Sequence, residues 1–86
     1  GNVMSNLFDR EKVSKILDTY PKLEIVLSGG MVSKKLCREL LDVDKWLMDD
    51  IYKELLLAGA VKGLSSSSFR AKEDTLELIR ERRARV

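Results

Sequence analysis

Eighty-six residues, 44% hydrophobic and 35% charged with a net charge of +2, suit one small globular domain around a single modest core. No apolar run approaches the ~20 residues needed to cross a bilayer, no secretory signal is visible, and a single cysteine cannot form an internal disulfide. There is no histidine, which removes the commonest general base and the commonest zinc ligand together; an intracellular chain with no cofactor and no metal is expected. The leading Gly1 reads as a tag-removal scar, and residues 2–86 as one domain of a larger protein.

Val13, Ile16, Leu17 and Tyr20 fall at i, i+3, i+4 and i+7. That spacing predicts a first helix over residues 6–20, capped by Asn6 or Asp9 and ended by Pro21. In 21–30, Leu23, Ile25 and Leu27 alternate with Lys22, Glu24 and Val26, so irregular chain with a brief extended piece is expected. An extra helical turn is the alternative there, and Ser28-Gly29-Gly30 breaks whatever forms. A second helix starts after Ser33, with Leu36, Cys37, Leu40 and Leu41 as its buried edge and Lys34, Lys35, Arg38 and Glu39 outward. Asp42-Val43-Asp44 turns the chain into a third helix capped by Asp44. Its inner stripe is Leu47, Ile51 and Leu55, widened by Met48, Tyr52 and Leu56. Gly59 fits the left-handed position that follows a helix. Ala60–Leu64 and Ser68–Ala71 read as two short strands joined by Ser65-Ser66-Ser67. The last helix spans 72–83, with Leu76 and Ile79 inward and Leu78 flanking.

Two helices joined by a tight turn, then a hairpin and a closing helix, resemble the winged-helix superfamily of helix-turn-helix domains. The stretch LLLAGAVKG is similar to the end of a recognition helix running into a wing, and SSSSFRA to a second wing strand. The resemblance covers residues 6–83 and implies an α+β fold, mostly helical, with a small β-hairpin wing and a C-terminal closing helix. A plain helical bundle is the structural alternative. Winged helices commonly serve nucleic-acid-handling assemblies, so the resemblance implies that setting as well.

A winged helix that reads DNA lays its third helix in the major groove, where phosphate attraction favours basic residues. Here that helix is the acidic part of the chain: residues 43–61 hold Asp44, Asp49, Asp50 and Glu54 against Lys45 and Lys53. Carboxylates at ~4 Å from phosphates repel them by about 1 kcal/mol even in water. A non-catalytic interaction module is therefore expected, docking a protein partner through Trp46, Asp49, Asp50 and Lys53. Tryptophan favours interface hot spots; the bland reading folds Trp46 over the second helix as core edge. Direct DNA or RNA binding is the alternative, through Lys34, Lys35 and Arg38 on the second helix, Lys62, Arg70 and Lys72 on the wing, and Arg80, Arg82, Arg83 and Arg85 behind it. Cations near a helix end also serve simply to offset its dipole. A third reading is a homodimer through Leu55, Leu56 and Leu57, one of which must lie off the core face. Cys37 reads as a small core residue, Asp49-Asp50 as a solvated pair, and Ser28-Gly29-Gly30 lacks the lysine of a phosphate loop. No catalytic constellation stands out, and no membrane partner is expected.

Overall fold

The computed structural model describes residues 7–85. Five helices and three short strands follow one another as α1 (Arg10–Thr19), α2 (Leu23–Ser28), β1 (Val32–Ser33), α3 (Lys34–Leu41), α4 (Lys45–Leu57), β2 (Val61–Gly63), β3 (Ser68–Ala71) and α5 (Glu73–Ala84). The architecture is α+β, mostly helical, with one antiparallel sheet in the order β1-β3-β2. None of these helices is long and apolar enough to cross a membrane.

Three helices start where a short oxygen-bearing side chain can accept an orphan backbone N–H. Asp9 accepts from the amide of Lys12, Ser33 from Leu36 and Asp44 from Leu47. The first helix is shorter than its predicted span, and Asn6, the other candidate cap, lies outside the described residues. At the far end of α4, Gly59 adopts φ +68°, the left-handed conformation that costs glycine least, and turns the chain into β2.

The core gathers Val13 and Leu17 of α1, Leu23, Val26 and Leu27 of α2, Cys37 of α3, Ile51 and Leu55 of α4, Phe69 of β3, and Leu78 and Ile79 of α5. Phe69 is fully buried on the central strand, where it joins the sheet to the helices. Burying such a ring contributes about 1.5–3 kcal/mol. Thr75, the one buried polar side chain among the described residues, donates its hydroxyl to the carbonyl of Ala60 at 2.7 Å and so ties α5 to the approach of β2.

Five expectations change. Residues 23–28 form a helix, not irregular or extended chain, because Leu23, Val26 and Leu27 sit at i, i+3 and i+4 and all reach the core, while Ile25 is left exposed. Val32 and Ser33 pair with Phe69 and Ser68, adding a third strand where only a hairpin was expected. The α3 edge is narrower than read: Cys37 is buried, Leu41 is half-buried, and Leu36 and Leu40 stand 47% and 45% exposed. The inner stripe of α4 is rotated by one residue, with Met48 buried beside Ile51 and Leu55 while Leu47 turns to solvent. In α5, likewise, Leu78 is buried with Ile79, and Leu76 lies at the margin.

Candidate functional site

The α3–α4 corner is abrupt because Asp42 takes a left-handed φ of +56° and its amide closes the end of α3 on the carbonyls of Arg38 and Glu39. Two residues later Asp44 caps α4, so Lys45 enters α4 as its first residue, beside the flank of α3. From the other side, the carbonyl of Ser67 accepts the amide of Lys34 at 2.8 Å, pinning the hairpin turn to the first residue of α3. Three separate pieces of chain are thereby drawn around one groove of about 400 Å³.

Its cations are Lys34, Lys35, Arg38 and Lys45. Ser66 and Ser67 supply hydroxyls from the turn, Met48 lies among them, and Asp49 is the single carboxylate lining the groove. Among the described residues the ion pairs are Arg10–Glu81 and Arg82 with Asp18 and Glu24, and none involves a groove cation. Four positive charges against one negative charge, none of them paired, leave an uncompensated field over a concave surface. The groove can therefore hold a multiply charged anion without first breaking an internal ion pair.

Tyr52 does not line the groove but supports Lys34, which does. Its ring lies 4.0 Å under the Lys34 ammonium and packs tilted against Phe69 at 5.1 Å between centroids. Its hydroxyl approaches Gly63 so closely that a Cβ there would meet the oxygen at 2.8 Å. Glycine at 63 thus permits the contact between α4 and β2 that holds the ring under Lys34.

The other predicted basic residues do not join this groove. Lys62 and Arg70 are cross-strand partners on β2 and β3 and both face solvent. Like charges directly opposite are unfavourable, although a lysine on an edge strand also blocks sheet extension. Lys72 begins α5 half-buried, and Arg80, Arg83 and Arg85 are exposed along that helix and its end. Arg82, read as a nucleic-acid residue, is instead a fold tie. It donates to Asp18 at 2.6 Å and to Glu24 at 3.0 Å, linking α5 to α1 and α2, because those carboxylates reach it first. Its hydrogen bond to Asp18, and then that to Glu24, raise its guanidinium pKa above the ordinary arginine value against the opposing effect of burial. Arg10 likewise holds the Glu81 carboxyl below the usual glutamate range through a hydrogen bond.

On α4, Trp46, Asp50, Lys53 and Leu57 recur at i, i+4, i+7 and i+11 and form its solvent face. Trp46 is 77% exposed, so it does not close the core edge over α3. Asp49 sits apart from that row, at the groove. Of the three consecutive leucines, Leu55 is buried, Leu56 half-buried and Leu57 58% exposed, leaving one side chain for the apolar contact that dimerisation would use.

Lys45 is the groove residue that sequence reasoning missed. Its signal was local: it follows the cap Asp44 directly, and a corner of three residues must bring it back toward Arg38. Cys37 is buried, and burial pushes its thiol up to about 11, away from nucleophilic chemistry. Among the described residues no group of three or more Cys, Asp and Glu side chains could hold a metal ion. No family model, curated protein or solved structure matches the chain.

Proposed function

We propose that this domain is a non-catalytic, winged-helix module that binds nucleic acid by its phosphate backbone, through the groove between α3, α4 and the hairpin turn. The winged-helix reading is supported by the element order, by the tight α3–α4 corner and by the β1-β3-β2 sheet, in which the strand before α3 pairs with the outer hairpin. The observation that carries the function is the convergence of Lys34, Lys35, Arg38 and Lys45, with no ion-pair partner, beside the hydroxyls of Ser66 and Ser67. Cations of this kind bind phosphates by displacing condensed counterions, and hydroxyls add hydrogen bonds to phosphate oxygens. Asp49 and Asp50 still oppose insertion of α4 itself into a major groove, so contact along the backbone is favoured over base reading by that helix.

The test is an affinity titration with nucleic acid at two salt concentrations. Three phosphate contacts correspond to a log–log slope of about −2 on a single strand and about −3 on a duplex, a loss of about 20-fold to 50-fold between about 50 and 200 mM salt. Absence of binding at the lower salt removes the proposal.

The exposure of Trp46 favours a second reading, in which α4 presents Trp46 and Leu57 to a protein partner with Asp50 and Lys53 between them. That reading needs no salt dependence. It fails if Trp46→Ala and Asp50→Lys leave retention of the parent protein's partners unchanged in a folded domain.

A further inference from the structure

Resting on the nucleic-acid reading, we infer that the strand taken by this groove is single, and that Trp46 stacks on one of its unpaired bases. Lys45 and Asp49 both line the groove, and Trp46 is the neighbour of each, adjacent to one in the chain and three residues from the other on the helix surface. Trp46 does not itself line the groove, but beside those two residues and with 77% of its surface open it is placed to present its indole at the groove's rim. A duplex keeps the faces of its bases inside its own stack, where this ring cannot reach them. An unpaired base offers its π-face, and stacking on an aromatic side chain adds to phosphate attraction without requiring a particular sequence.

The carboxylates point the same way. A duplex that takes α4 into its major groove brings phosphate lines along both flanks of the helix, and Asp49 and Asp50 then face phosphates whichever way they turn. A single strand has one phosphate line, which can follow Lys34, Lys35, Arg38 and Lys45. Lys53 stands two turns beyond Trp46 on the same face, about 10 Å along the helix, placed for the phosphate of a later nucleotide. Between them lies Asp50, where a base edge rather than a phosphate must pass; a carboxylate there accepts hydrogen bonds from base N–H donors, the N3–H of thymine included.

Trp46 is the only tryptophan, so the emission of the intact chain reports this rim alone. The probes are an oligothymidylate of about 12 nucleotides, the same strand annealed to oligoadenylate, and inorganic polyphosphate, which has charge without bases. The expected result at about 50 mM salt is quenching by the single strand, with affinity about tenfold above that of the duplex. Polyphosphate competes for the groove and leaves the emission unchanged. Trp46→Ala lowers single-strand affinity about tenfold with an unchanged far-UV spectrum, Trp46→Phe recovers most of it, and duplex affinity stays put. Duplex binding as tight as single-strand binding, or salt-sensitive single-strand binding that leaves the emission untouched, overturns the inference while sparing the phosphate groove. Failure of every probe to bind at low salt overturns both.

Discussion

Two basic regions of this molecule have opposite fates. At the C-terminal side, Arg82 is bound by Asp18 and Glu24 and Arg10 by Glu81, so these guanidinium groups are committed to holding α5 against α1 and α2. At the α3–α4 corner, Lys34, Lys35, Arg38 and Lys45 converge without a pairing carboxylate. Counted along the chain, residues 62–86 hold seven basic against four acidic groups and residues 31–42 three against two, yet of those seven Arg82 alone is ion-paired among the described residues, and the other six are spread over the hairpin and α5 instead of lining the groove. The lesson is that net charge per segment says little about available charge. What matters is whether cations from different elements converge, and whether a carboxylate reaches them first, which only the tertiary fold decides.

The largest expected effect separates the two regions directly. Replacing Lys34, Lys35 and Arg38 together by alanine is expected to lower nucleic-acid affinity by about 100-fold at low salt while leaving chemical-denaturation stability within about 0.5 kcal/mol. A large stability loss would place these residues with Arg82, and the contrast would vanish. Arg82→Ala should do the reverse. It leaves Glu24, only 19% exposed, without its partner, and should cost about 2 kcal/mol in stability with affinity unchanged. Arg82→Lys should recover only part of that, since an ammonium lacks the planar fork that spans two carboxylates.

A smaller effect links the fold to the groove. Gly63→Ala would set a Cβ 2.8 Å from the Tyr52 hydroxyl, so the hydroxyl must move away and the ring beneath Lys34 tilts. A stability loss of about 1 kcal/mol and a several-fold drop in affinity are expected, with Tyr52→Phe in the same chain restoring most of both. If the glycine substitution changes neither, Tyr52 does not position Lys34. The smallest effect concerns acid. The native Glu81 carboxyl lies below its unfolded value, so the stability it contributes is present above the ordinary glutamate range and is lost as pH falls through the native value. Arg10→Ala should shallow that acid limb of the stability curve, and an unchanged limb would mean that the exposed pair contributes nothing.

Much of the fold was legible because its signals are local. Asp9, Ser33 and Asp44 each cap the helix that follows within three residues, and Gly59 marks the end of α4 by its own backbone needs. The hairpin was readable from two apolar runs around a serine turn. By contrast β1 is two residues long and exists only because Phe69 and Ser68 arrive far along the chain to pair with it, so nothing nearby announces it. In α2, alternation of Leu23, Ile25 and Leu27 competed with the helical set Leu23, Val26 and Leu27, and burial against the rest of the core decided between them. The rotation of α4 followed from the same ambiguity, since consecutive Leu47 and Met48 offer two apolar stripes and packing selects one. For the candidate site, Lys34, Lys35 and Arg38 could be grouped by helical spacing alone. Their meeting with Lys45, Ser66 and Ser67 could not, because it depends on the corner at Asp42 and on the bond between Lys34 and Ser67.

The most direct measurement of the central claim is residue-by-residue mapping of backbone amide resonances as a short oligonucleotide is added at low salt. The expected result is that the shifts concentrate at Lys34, Lys35, Arg38, Lys45, Ser66 and Ser67 and fade as salt is raised. Shifts gathered instead along the arginines of α5, or none at all, would contradict the assignment of the unpaired cations to a phosphate backbone.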